Sequence, residues 1–222
     1  FPNRIIWIRK EDFKSAYRRV HTNANTAIKT AVRAKINKID MILILLRLVF
    51  GGASCPADFS LLSDIVTDTI NNLLLCKIWD HKAISSDFVN KIPNKKSYGN
   101  DENFVKAQEL IVDVPLEIQG KADCYIDDII TVAIDIGENR RRIEAAPCTV
   151  LHAVAKKADL NNKTPRVDII SDEKNLAEGE ASESKVTLGW LLDSRKLLKS
   201  MIRQFMLKRH YIDWLKFIIG LV

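Results

Sequence analysis

Two adjacent aspartates, Asp127 and Asp128, interrupt the otherwise apolar run "ADCYIDDIITVAID" at residues 122–135. Charge inside a buried strand is costly unless something compensates it. The pair therefore either sits at a solvated hairpin tip or holds a cation. A third aspartate, Asp12, closes the first apolar strand. Three carboxylates on adjacent strands would repel one another unless a hard cation lies between them. Magnesium fits such a set, because it takes oxygen ligands and keeps positions open for phosphate. Two such ions can activate an attacking oxygen and steady a leaving one in phosphoryl transfer. The competing explanation is three exposed turn aspartates, since carboxylates are common in turns.

The elements that must position these groups can be sketched from patterning. The strand "RIIWI" (4–8) runs into the charged "RKEDFK" and ends at Asp12. Apolar stretches near 28–34 and 39–50 predict further strands, the second of them a core strand. "FGGASCP" breaks the pattern. A helix follows, with Pro56 in its first turn and Phe59, Leu62, Val66, Ile70, Leu73 and Leu74 at helical spacing to about Lys77. Residues 80–103 are polar and turn-rich, a surface loop or insertion. Two apolar runs flank Asp127 and Asp128 near 121–136, which predicts a hairpin. A second helix is expected over 138–158, with Ile143, Ala146, Val150, Leu151 and Val154 on its apolar face, a kink at Pro147 and "NRRRIE" on its surface. The acidic segment 171–184 predicts a linker or short helix. "KVTLGWLLDSRKLL" (185–198) predicts a hairpin turning near Asp193 and Ser194. The tail, 201–222, predicts an amphipathic helix. This order is compatible with an α+β fold built on a split βαβ antiparallel sheet.

Composition sets wider bounds. The chain has 222 residues, 47% apolar and 28% charged, so a folded core of one domain is expected. Net charge is +6, which favours a polyanionic partner. The four cysteines form no CxxC pair and with the four histidines complete no zinc pattern, so reduced thiols in an intracellular protein are expected. Cys124 is expected to be a small packed residue rather than a nucleophile. The run "MILILLRLVF" (41–50) is too short to span a bilayer and carries Arg47, so no membrane partner is expected. The chain starts at Phe1 rather than Met and reads as a fragment of a longer translation.

"DFKSAY" (12–17), "FGGASCPADF" (50–59), "YIDD" (125–128) and "LGWLLD" (188–193) occur in this order. Together they resemble the palm of reverse transcriptases, most closely those of retrotransposon-type elements, over about residues 4–200. The resemblance implies an RNA-directed DNA polymerase that moves dNMP from a dNTP to a primer 3′ end on an RNA or DNA template. By the same resemblance Asp12, Asp127 and Asp128 are the catalytic, metal-ligating carboxylates, served by Mg2+ with Mn2+ as a substitute. Tyr17 matches the aromatic beneath the incoming sugar, where a ring leaves no room for a 2′-hydroxyl. Phe50 and Gly51 match the loop against the nucleotide. Tyr125 is expected near the primer end, and Leu188, Gly189 and Trp190 match the primer-gripping hairpin. Ordinary core or turn roles are the alternative for Tyr17, Gly51 and Trp190.

Residues 1–200 would then be a palm-like domain with an insertion at about 80–103. The basic tail 201–222 would begin a thumb, and most of the fingers would be missing. Residues 194–212 hold no acidic residue, which places Arg195, Lys196 and Lys199 to meet backbone phosphates. Val49 departs from the pattern, standing where many relatives have proline before "FG". Two alternatives remain: an inactive retroelement remnant that binds nucleic acid, and a metal-dependent nuclease. The nuclease would leave Tyr17, "FGG" and "LGW" without a purpose.

Overall fold

The computed structural model describes residues 5–83, 86–92, 120–155, 159, 161, 163 and 167–194. It is a mixed α+β structure with small antiparallel sheets. The first strand, β1 (Ile6–Asp12), lies antiparallel to β5 (Asp128–Ile134), and β5 lies antiparallel to β4 (Lys121–Tyr125), so β5 is central. Successive strand residues point to opposite faces. Trp7, Phe13, Ala122, Ile129 and Ala133 join the main core with helices α2 (Cys55–Leu75) and α4 (Asn139–Val154). Ile8, Ile130 and Val132 form a smaller cluster with Leu192. The helices therefore cover one face, and the other face carries Lys10, Asp12 and Asp128.

The first strand continues through the charged "RKED" because two of those charges are buried together. Arg9 and Glu11 are 0% and 2% exposed and pair with each other. Arg9 also donates to Gly179 O at 2.6 Å and to Asn175 Oδ1 and Cys148 Sγ, each at 3.3 Å. Burial pushes the Glu11 carboxyl above its ordinary pKa despite the guanidinium beside it. Burial likewise opposes the charge on Arg9, but Cys148, Glu11 and Glu144 outweigh it and hold that pKa up.

Helix α2 buries Phe59, Val66, Ile70 and Leu74 completely, as its spacing predicts. Its end is closed from α4. Arg142 donates to Leu73 O at 3.4 Å, Cys76 O at 2.8 Å and Trp79 O at 2.6 Å, satisfying carbonyls that a helix end leaves free. "NRRRIE" is therefore not plain helix surface: Arg142 is 7% exposed, Glu144 is fully buried, and Arg140 lies over the Trp7 ring. Helix α4 keeps Pro147 within its span and ends at Val154, which is exposed rather than on the apolar face.

The expected strand near 28–34 is instead a short helix, α1 (Ala24–Lys29), followed by β2 (Val32–Ile36). Strand β3 (Ile39–Leu43) pairs with β2 as a separate two-stranded sheet. Residues 44–50 are not strand, apart from a bridge between His21 and Arg47. "MILILLRLVF" is also not core. Met41 through Leu46 are exposed, and Leu48 is the buried member. The register explains why it looked like core: Val32, Ala34, Ile36, Ile39, Met41 and Leu43 share one wholly apolar face, while Arg33, Lys35 and Asp40 share the other. None of the described residues covers that apolar face.

Within the polar stretch 80–103, α3 (Asp87–Asn90) buries Phe88 against His152. Residues 93–103 lie outside the described residues. The acidic segment forms α5 (Asp172–Glu178). The last hairpin is β6 (Ser184–Thr187) and β7 (Trp190–Asp193), and it turns at Leu188 and Gly189, with φ of 52° and 79°. The turn is thus not at Asp193 and Ser194: Asp193 closes β7 opposite Ser184. Ahead of β6, Ser182 exchanges two backbone hydrogen bonds with Ile8 along the free edge of β1. Among the described residues no helix is long and apolar enough to cross a membrane. All four cysteines are free thiols.

Candidate functional site

The β1–β5 ladder sets Asp12 directly opposite Asp128. One residue on, Phe13 N–H donates to Asp127 O at 3.1 Å. Asp12, distant in sequence, therefore meets the adjacent Asp127 and Asp128 at one end of one sheet, where the "YIDD" hairpin turns. The turn is tight, with Tyr125 and Asp128 paired and Ile126 at φ 59°. A β-branched residue at positive φ is sterically unfavourable. Strain of this kind, about 1–3 kcal/mol, persists only where the surroundings enforce it. Here Ile126 packs on the main core and its carbonyl accepts from Cys124 Sγ at 3.3 Å. Burial pushes that thiol up to about 12, which suits a packing role and not a nucleophile.

Asp12 is buried, whereas Asp127 and Asp128 are half-buried. Asp12 and Asp128 hydrogen-bond to each other. Burial pushes Asp128 up, the hydrogen bond and charge of Asp12 push it further, and its pKa reaches about 7. Burial also works against Asp12, but hydrogen bonds from Asp128 and Lys174 and the charge of Lys10 outweigh it and keep its pKa low. The two carboxyls thus share one proton, a property of the pair. Asp127 is raised by burial and then by the Asp12 charge, while its own backbone N–H opposes the rise.

This proton makes stability pH-dependent. The folded pKa of Asp128 lies above the unfolded value, so its contribution is complete below about pH 4 and lost as pH rises through about 7. The urea midpoint of the chain is expected to fall between about pH 5 and pH 8, and Asp128→Asn is expected to remove that component. Parallel profiles for the two proteins would contradict the shared proton.

Two lysines absent from the sequence-based site complete the cluster. Lys10 Nζ is 3.3 Å from Asp128 Oδ1, and the Lys174 ammonium is bonded to Asp12 Oδ2. Lys10 was legible in principle, because it stands two residues before Asp12 on a strand and so shares its face. Nothing in the sequence around Lys174, in a segment expected to be a linker or short helix, marked it.

Among the described residues no group of three or more His, Cys, Asp or Glu side chains is gathered in metal-holding geometry. Asp12 and Asp128 face each other and the two ammonium groups, and Asp127 accepts from its own N–H. The donor atoms on offer are carboxylate oxygens, the type a hard divalent cation takes, and at present Lys10, Lys174 and the proton on Asp128 balance their charge.

The remaining expected residues fall in two groups. Tyr17 is buried between Phe50 and Phe59 in edge-to-face contacts, with ring centroids 5.0 and 5.5 Å away. Burial raises its pKa, and the charges of Asp127, Cys55 and Tyr125 add to this, so the phenol lies within electrostatic reach of Asp127. Phe50 is 68% exposed beside it, and Gly51, at φ 85°, takes a backbone conformation that favours glycine. Tyr125 is exposed on the hairpin that carries the aspartates. Leu188, Gly189 and Trp190 lie apart, on the β6–β7 hairpin; its Leu192 packs on the same sheet face farther along the strands. Arg195, Lys196 and Lys199, and the tail 201–222, lie outside the described residues. Comparison with protein-family models, curated proteins and solved structures finds no match for this chain.

Proposed function

We propose that this chain is the palm of an RNA-directed DNA polymerase, which adds dNMP from a dNTP to a primer 3′ end on a nucleic-acid template. The observation that carries this is the meeting of Asp12, Asp127 and Asp128 at one sheet end. Turn aspartates unrelated in function have no reason to meet across β1 and β5. The strand arrangement agrees with a split βαβ palm: β1, then α2, then the β4–β5 hairpin laid against β1, then α4 on the same face.

In this account Asp12 and Asp127 would hold Mg2+, and Asp128 would support them. Bound magnesium would supply charge neutralisation for the triphosphate and activation of the primer hydroxyl. The primer 3′ oxygen would form a bond to the α-phosphorus as the bond from that phosphorus to the bridging oxygen of the β-phosphate breaks, with the hydroxyl proton passing to solvent and pyrophosphate leaving. The residues of this chain mainly position the reactants. Phe50 and Gly51 present an exposed ring and a side-chain-free backbone to the nucleotide. Tyr17 is wedged against Phe59 and Phe50, so its ring cannot yield to a 2′-hydroxyl. Tyr125 and the Leu188–Gly189–Trp190 turn would contact the primer. Arg195, Lys196 and Lys199 would meet phosphates.

Primer extension on an RNA template with dNTPs and Mg2+ tests the proposal, and dNMP incorporation is the expected outcome. Tyr17→Ala is expected to raise the ratio of ribonucleotide to deoxynucleotide incorporation by about tenfold or more. The substitution also removes a core ring, but a ratio is insensitive to the folded fraction. An unchanged ratio would leave Tyr17 as a core aromatic.

A further inference from the structure

The two ammonium groups at the aspartate cluster are mounted differently. Lys10 belongs to β1 itself and is shared between Asp128 at 3.3 Å and Glu178 at 3.8 Å. Lys174 reaches in from α5 and ends on Asp12. The root of Lys174 is fixed. Its neighbour Asn175 is 1% exposed, accepts from Arg9 Nη2 at 3.3 Å and donates to Phe88 O at 2.9 Å. One turn later Arg9 Nε holds Gly179 O at 2.6 Å. A side chain at Gly179 would place its Cβ 2.3 Å from Asn175 Oδ1, so the helix end closes tightly on that anchor. The buried guanidinium thus pins α5 at both points. The Lys174 side chain, by contrast, is 59% exposed. It can leave Asp12 by rotamer changes alone, with no backbone movement.

We propose that Lys174 is the resident counter-cation of this site, holding Asp12 until a divalent metal ion displaces its ammonium into solvent. The idea rests on the polymerase function above, since the same carboxylates must take the metal. An ammonium and a divalent ion on one carboxylate oxygen would repel strongly at such short range. The ion pair is open to solvent on the lysine side, so the ammonium regains water as it leaves while the metal takes over its charge on Asp12. Asp12 is 5% exposed and would otherwise be a poorly compensated buried charge. Lys174 answers that need without sealing the site, because the anchored helix returns the ammonium to the same oxygen when the metal leaves.

The test uses the whole 222-residue chain. Lysines are acetylated briefly with and without MgCl2 and read individually by mass spectrometry. Mn2+ binding is followed in parallel by the electron paramagnetic resonance of the free ion. Magnesium is expected to speed Lys174 acetylation several-fold, while lysines remote from the cluster keep their rates. Lys174→Met is expected to bind Mn2+ about tenfold more tightly, because the competing cation is gone. Metal binding that requires Asp12 but leaves Lys174 acetylation unchanged would overturn the exchange and leave the polymerase assignment standing. Failure of both the wild-type chain and Lys174→Met to bind Mn2+ would overturn both.

Discussion

Replacing Asp12 by Asn is expected to lower primer extension by about a thousandfold or more, a barrier increase of roughly 4 kcal/mol. The substitution keeps shape and removes charge. Asp12 is the most buried of the three aspartates and the one on which Lys174 and Asp128 both converge. Its replacement therefore strips the site of its main negative charge. The fold should survive, because Asn removes the buried charge along with its need for a counter-cation and leaves the 59%-exposed Lys174 side chain in solvent. Asp128 should also lose the neighbour that raises its pKa. Loss of activity with a near-normal urea midpoint is the signature to look for. Near-normal extension by Asp12→Asn would remove Asp12 from the chemistry.

The second large effect is structural. Glu11→Ala is expected to destabilise the chain by about 3–5 kcal/mol, because it leaves the fully buried Arg9 charge without its carboxylate. The double change Arg9→Met with Glu11→Leu is expected to cost less than Glu11→Ala alone, since no buried charge is then orphaned. It should still loosen α5, which Arg9 anchors through Asn175 and Gly179. Urea unfolding of the two variants decides the matter. A Glu11→Ala protein within about 1 kcal/mol of wild type would show that the pair does not hold β1 in place.

The sequence made some of this legible and hid the rest for physical reasons. Helix α2 and the β4–β5 hairpin follow from apolar spacing, which reports directly on a buried face. The meeting of Asp12 with Asp128 was accessible through the ordered motifs, not through composition. Residues 28–50 misled because an apolar face reads alike whether or not it is covered, and none of the described residues covers the apolar face of the β2–β3 hairpin. Arg9, Glu11, Arg142 and Glu144 misled in the opposite direction. Charged residues predict surface, and only contacts made across the fold reveal that these four are interior. Lys174 is of the same kind: its role depends on where α5 is pinned, which no local pattern encodes.

The central claim is that Asp12 and Asp127 hold the metal ions of a nucleotidyl-transfer site. Crystals of the chain with Mn2+ and a deoxynucleoside triphosphate test it most directly, through the anomalous signal of manganese. The account predicts anomalous peaks within bonding distance, roughly 2.0–2.2 Å, of carboxylate oxygens of both Asp12 and Asp127, with two ions about 3.5–4 Å apart. Manganese bound elsewhere on the molecule, with both aspartates left uncoordinated, would contradict it.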